Sequence, residues 1–190
     1  MIRIMSGLVL IASFAGCAAV GVPSTNDPME KLGYAYQLMG TDGRGLAAEK
    51  LGKEALAVFQ EKNDSYGIAE AHTMLGSYYK SPSYRFHKGF YRQHGEYDET
   101  ASKSISHLKS AIEAFTLDGD YWGVSKATFV MANAYATDDN TEMACTLYKK
   151  SLAIYLSDEN VFKGRVHTFN PQYNSYEEMI RAFIKDKCEE

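Results

Sequence analysis

The chain lacks every short signature of a catalytic centre. It has no G-x-S-x-G nucleophile turn, no H-E-x-x-H pair, no C-x-x-C and no glycine-rich phosphate cradle. It also lacks a basic surplus: 20 Lys and Arg stand against 24 Asp and Glu, a net charge of -4, which argues against general nucleic-acid binding. Histidine is scarce. His72 sits on an apolar stripe and reads as a packed core residue, and His87 and His94 have neither acidic nor cysteine company, so no metal site is expected. The paired acids Glu177-Glu178 belong to a helix start. No catalytic residue, cofactor or metal is therefore assigned.

The first residues form a distinct segment. Arg3 supplies a positive start, and Ile4–Val22 carries no charge, the pattern of a signal peptide or anchor to be set apart from the fold. The remainder, one unit more acidic once Arg3 is removed, has ordinary globular composition, with 45% hydrophobic and 23% charged residues in the whole chain. It is long enough for one helical core. Three cysteines are present: Cys17, Cys145 and Cys188.

One stretch occurs twice. Lys53–Tyr79 aligns without a gap on Lys109–Tyr135 at an offset of 56 residues. Identical pairs are Lys53/Lys109, Ala55/Ala111, Phe59/Phe115, Asp64/Asp120, Gly67/Gly123, Ala71/Ala127 and Tyr79/Tyr135. Ala55, Leu56 and Phe59 close one helix; Asn63-Asp64-Ser65 breaks it; Ile68, Ala71, His72, Leu75 and Tyr79 make the stripe of the next. Lys149–Tyr155 repeats Lys109–Phe115 at an offset of 40, and Leu32-Gly33-x-x-Tyr36 repeats Leu75-Gly76-x-x-Tyr79. The spacing predicts a first helix from Asp27 to about Leu38, capped by Asp27 with Pro28 at its first position, and further helices over about 46–61, 67–80, 101–115, 121–136 and 141–156. Ser175-Tyr176-Glu177-Glu178 is a capping box opening a final helix.

The Leu-Gly-x-x-Tyr and Ala/Ser-Leu-x-x-Phe/Tyr pattern, with Asp-x-x-Gly at the turn, resembles the tetratricopeptide repeat, in its longer variant of about 40 residues. The resemblance covers roughly residues 27–157. It implies an all-α fold of antiparallel helix-pair repeats, a solenoid of about three repeats with a C-terminal capping helix, as a stack of repeats requires. It also implies a protein or peptide partner held along the face made by the first helix of each pair. Carried over by register, that groove comprises Tyr34, Gln37, Glu70, Thr73, Ser77, Lys126, Phe129 and Asn133. Asn133 matches the family's peptide-gripping asparagine, whose amide bonds a peptide backbone from both ends. Thr73 and Phe129 stand where clamp lysines would be, so an acidic C-terminal tail is not implied.

Ala15-Gly16-Cys17 resembles the bacterial lipobox, with Phe14 where Leu is usual. That resemblance implies a signal peptide over 1–16, lipid attachment at Cys17, a tether over 17–26 and a single domain over 27–190. Ala18 implies the outer membrane, facing the periplasm. In that oxidising space Cys145 and Cys188 either pair, tying the last repeat to the C-terminal helix, or stay as separate thiols.

The second repeat holds about sixteen residues that the third does not: Tyr79 to Lys109 spans 30 positions and Tyr135 to Lys149 spans 14. The extra segment, about 81–94, reads as a loop. It carries Arg85, Phe86, Phe90, Tyr91 and Arg92 as candidate contacts with an acidic protein or with anionic lipid headgroups, or else packs on the neighbouring helices. The chain is thus expected to be a membrane-anchored interaction module, an adaptor or assembly factor of the bacterial envelope. The alternatives are an immunity-type protein blocking an envelope-targeted toxin and, behind it, an envelope enzyme.

Overall fold

The computed structural model describes residues 24–41, 43–161 and 172–188. Cys17 and the expected signal segment lie outside them. The described residues are all-helical: α1 (Pro28–Met39), α2 (Gly45–Glu61), α3 (Ser65–Tyr79), α4 (Pro82–Phe86), α5 (Lys88–Gln93), α6 (Ser102–Asp118), α7 (Tyr121–Thr137), α8 (Thr141–Leu156) and α9 (Tyr176–Cys188). Long neighbours pack in sequence order, α1 on α2, α2 on α3, α3 on α6, α6 on α7, α7 on α8 and α8 on α9. Two further contacts, α1 with α3 and α3 with α7, bring alternate helices side by side. No described helix is long and apolar enough to cross a membrane.

The two copies of the repeated stretch build the same turn. Asp64 Oδ1 accepts from Gly67 N at 2.9 Å, and Asp120 Oδ1 accepts from Gly123 N at 2.9 Å. The Asp64 N–H donates to Phe59 O and the Asp120 N–H to Phe115 O, each at 3.0 Å. These bonds satisfy carbonyls and amides that helix ends leave orphaned. Each phenyl ring lies over the following glycine: an added Cβ would sit 2.0 Å from Phe59 Cδ1 at Gly67 and 2.4 Å from Phe115 Cδ1 at Gly123. The glycines are there because the rings leave no room for a side chain. The α7–α8 turn follows the same plan, with Asn140 Oδ1 accepting from Met143 N and the Asn140 N–H donating to Tyr135 O.

Small residues set the close helix approaches. At Gly76 a Cβ would meet Leu108 Cγ at 2.6 Å, and the Ser104 hydroxyl donates to Gly76 O at 2.6 Å across the α3–α6 seam. Between α7 and α8, Ser125 Oγ donates to Ser151 O and Ser151 Oγ to Ser125 O, at 2.8 and 2.9 Å. All four serine and glycine sites are buried, so these bonds satisfy polar groups that would otherwise be costly.

The final helix packs on α8. Tyr176, Met179 and Ile180 are buried, and Phe183 packs 5.0 Å from Phe129 and 5.7 Å from Tyr148, ring centre to ring centre. Its start is half of the expected box: Ser175 Oγ accepts from Glu178 N at 3.0 Å, while the Glu178 carboxylate accepts from Asn174 rather than from Ser175. Of the two alternatives for the remaining cysteines, the structure has the bridge: Cys145 and Cys188 are bonded, with Cα atoms 5.6 Å apart.

The 81–94 segment is a correction to the sequence reading. It is not a loop but two short helices, α4 and α5. Ser81 caps the first, its Oγ accepting from Tyr84 N at 3.2 Å, with Pro82 at the first helical position.

Candidate functional site

Three groups of side chains stand out, and the sequence reading separates them only in part. The first is the face shared by α1, α3 and α7. Gln37 is exposed there; Tyr34, Glu70, Ser77, Lys126 and Asn133 are half-buried. Glu70 and Lys126 form an ion pair of 2.6 Å that bridges α3 and α7. Lys126 Nζ also lies 5.3 Å from the Trp122 ring centre and 5.6 Å from that of Phe115, so the ammonium is held by charge and by two aromatic faces. The Asn133 side-chain carbonyl accepts from Tyr148 OH at 2.7 Å, which orients the amide.

Two expected members of this face are corrected. Thr73 is 1% exposed, with its hydroxyl donating to Ala69 O inside α3, and Phe129 is 7% exposed, enclosed by Tyr148, Tyr176 and Phe183. Both are core residues; α9 covers Phe129 through Tyr176 and Phe183. Two tyrosines belong to the face and are not singled out by the sequence, the exposed Tyr36 and Tyr66, beside Ser77 and Glu70 respectively. Burial and the adjacent Glu70 push the Tyr66 phenol up to about 12. The signal was available for Tyr36, which ends the Leu-Gly-x-x-Tyr pattern, but that pattern by itself reads as core.

The second group is a buried polar knot around Glu49. Its carboxylate accepts from Tyr79 OH at 2.6 Å, from Lys53 Nζ at 2.7 Å and from Tyr91 OH, while Tyr78 OH and Tyr91 OH share a bond of 2.7 Å. Burial works against the carboxylate, but the bonds from Lys53, Tyr79 and Tyr91 outweigh it and hold its pKa below the usual value. Beside the knot, the Nδ1 atoms of His72 and His107 are 2.8 Å apart, one ring donating and the other accepting, and Tyr79 stacks on His107. Burial, then the neighbouring His72, pull His107 down to about 4. His72 is thus half-buried and paired, rather than an apolar filler. Among the described residues no group of three or more His, Cys, Asp or Glu is placed to hold a metal ion.

The third group is the outward face of α4–α5. The insertion divides into two sides. Tyr84 and Tyr91 are 1% exposed and face inward, so Tyr91 is a buried anchor and not a surface contact. Phe86 and Phe90 face outward, with Arg85 and Lys88 exposed beside them. Arg92 is occupied: it pairs with Glu99 and lies over the Tyr97 ring. A shallow cleft of about 420 Å³ lies elsewhere, beside the Cys145–Cys188 bridge, lined by Thr141, Glu142, Thr146, Lys149 and Lys187 and by none of the expected groove residues.

These features define the class: among the described residues, an all-helical arrangement of packed adjacent helix pairs carrying a helical insertion. No family model, curated protein or solved structure matches the chain.

Proposed function

We propose that the chain is a tetratricopeptide-like solenoid acting as a protein–protein interaction module, an adaptor or assembly factor, held at the bacterial envelope by a lipid on Cys17. The observation that carries this reading is the Glu70–Lys126 pair. These residues occupy the same position in the two copies, 56 apart, and their side chains meet. Equivalent positions become neighbours when repeat units are stacked by translation, and the result is a continuous row of inner helices on which an extended partner can lie. Gln37, Ser77 and Asn133 supply amide and hydroxyl groups suited to a peptide backbone. The Cys145–Cys188 bridge supports an oxidising compartment, as the periplasm is.

The test has two arms. Affinity capture from solubilised envelope should yield one stoichiometric protein, lost with Gln37→Ala/Asn133→Asp, in which the carboxylate still accepts from Tyr148 OH, while circular dichroism stays unchanged. Capture indifferent to those variants would move the partner off this face. Cys17→Ser should shift the protein from the membrane to the soluble fraction; retention in the membrane would replace the lipid by an uncleaved anchor.

A further inference from the structure

The α4–α5 insertion carries more aromatic surface than its own packing uses. Tyr84 and Tyr91 complete the inward contact: Tyr91 through Glu49 and Tyr78, Tyr84 through a stacked contact with Tyr97 and a hydroxyl that accepts from Asp98 N at 2.9 Å. Phe86 and Phe90 remain 68% and 44% exposed. The most exposed apolar side chains elsewhere, Leu117 and Val161, stand singly and next to acids, Asp118 in one case and Asp158-Glu159 in the other. The two phenyls have the opposite surroundings. Lys80–His94 contains Lys80, Arg85, Lys88 and Arg92 and no acid, in a chain of net charge -4. Arg85 and Lys88 make no ion pair among the described residues.

We propose that this face docks on an anionic bilayer surface, with Phe86 and Phe90 entering the interface and Arg85 and Lys88 resting on lipid phosphates. Paired apolar and basic groups of this kind bind by adding buried apolar area to electrostatic attraction. An acidic protein surface would satisfy the bases but leave two phenyls without an apolar seat. Membrane proximity rests on the anchored reading above: from Cys17 to Asn26 the chain reaches at most about 35 Å, so a protein held at Cys17 stays within contact range of the bilayer. Docking through α4–α5 would turn the inner face of α1, α3 and α7 to a fixed orientation relative to the membrane.

The full chain with Phe86→Trp, reconstituted in vesicles containing brominated lipid, tests this against the parent, whose Trp122 sets the background. With phosphatidylglycerol present, the added tryptophan should shift to the blue and be quenched. In purely phosphatidylcholine vesicles it should not. Adding Arg85→Gln/Lys88→Gln should lower the docked-to-undocked ratio about 25-fold, about fivefold for each base neutralised. Water-exposed emission in both vesicle types overturns the proposal and favours a protein surface. Equal quenching in both overturns the role of the bases. Inner-face variants such as Asn133→Ala should leave this readout unchanged, so its failure is separate from failure of partner capture.

Discussion

Glu70 and Lys126 hold the same place in two copies of one sequence, and their side chains are bonded at 2.6 Å. Both are partly sheltered, with side-chain exposures of 13% and 24%, which favours a measurable interaction over a screened surface contact. A double-mutant cycle with Glu70→Gln and Lys126→Met should give a coupling energy of about 1 kcal/mol in urea unfolding. Coupling near zero would make the pair a crowding of charges rather than a link between repeats.

The glycines under the phenyl rings should respond alike. Gly67→Ala and Gly123→Ala each place a methyl group against a buried ring, Phe59 or Phe115. Each should cost about 1–3 kcal/mol, read as a lower urea midpoint at unchanged slope. The agreement between the two is the informative part, because it measures the structural equivalence of the turns.

Tyr91→Phe keeps the ring and removes the bonds of its hydroxyl to the buried Glu49 carboxylate and to Tyr78. Loss of about 1.5–3 kcal/mol is expected, as for hydrogen bonds to charged groups. Deleting 83–94 should cost more, since it also removes the buried rings of Tyr84 and Tyr91.

Acid should loosen the same region. His107 is pulled from 6.5 to about 4, and His72 is also lowered, so between those values the unfolded chain binds more protons than the folded one. Stability is therefore full above about pH 6.5 and falls as pH drops toward 4. Nearby Lys53 and Lys103 work in the same direction as burial, and Glu49 against it. Glu49, whose own pKa is lowered, adds a second loss below its unfolded value of 4.5. Urea midpoints should decline from about pH 7.5 to about pH 5, and His107→Gln should flatten that decline.

The bridge should matter in unfolding. Cys145 and Cys188 are 43 positions apart, and closing a loop of that length stabilises by about 4 kcal/mol on a chain-entropy basis. Cys145→Ser/Cys188→Ser should lower the midpoint, and reductant should lower it in the parent alone.

Much of this architecture was legible in the residues. The 56-residue repeat, the Asp-x-x-Gly turn, the Asp27 and Ser175 starts and the terminal helix are local patterns, and local hydrogen bonding and helical spacing are enough to set them. Whether an inward stripe ends against another helix or against a partner is not local. Thr73 and Phe129 sit at register positions that face outward in an isolated pair, and they are core here, Phe129 because α9 covers it through Tyr176 and Phe183. The 81–94 segment looked like a loop because its apolar residues lack a long helical period. It folds as two short helices whose Tyr91 hydroxyl is anchored on Glu49, 42 residues away in sequence and on another element.

The sequence by itself determined the helices, their turns and their repetition, because those follow from bonding among residues a few positions apart. Only the tertiary structure decided which polar groups meet, Glu49 with Tyr91, His72 with His107, Glu70 with Lys126, because burial and charge pairing depend on which distant segments pack together.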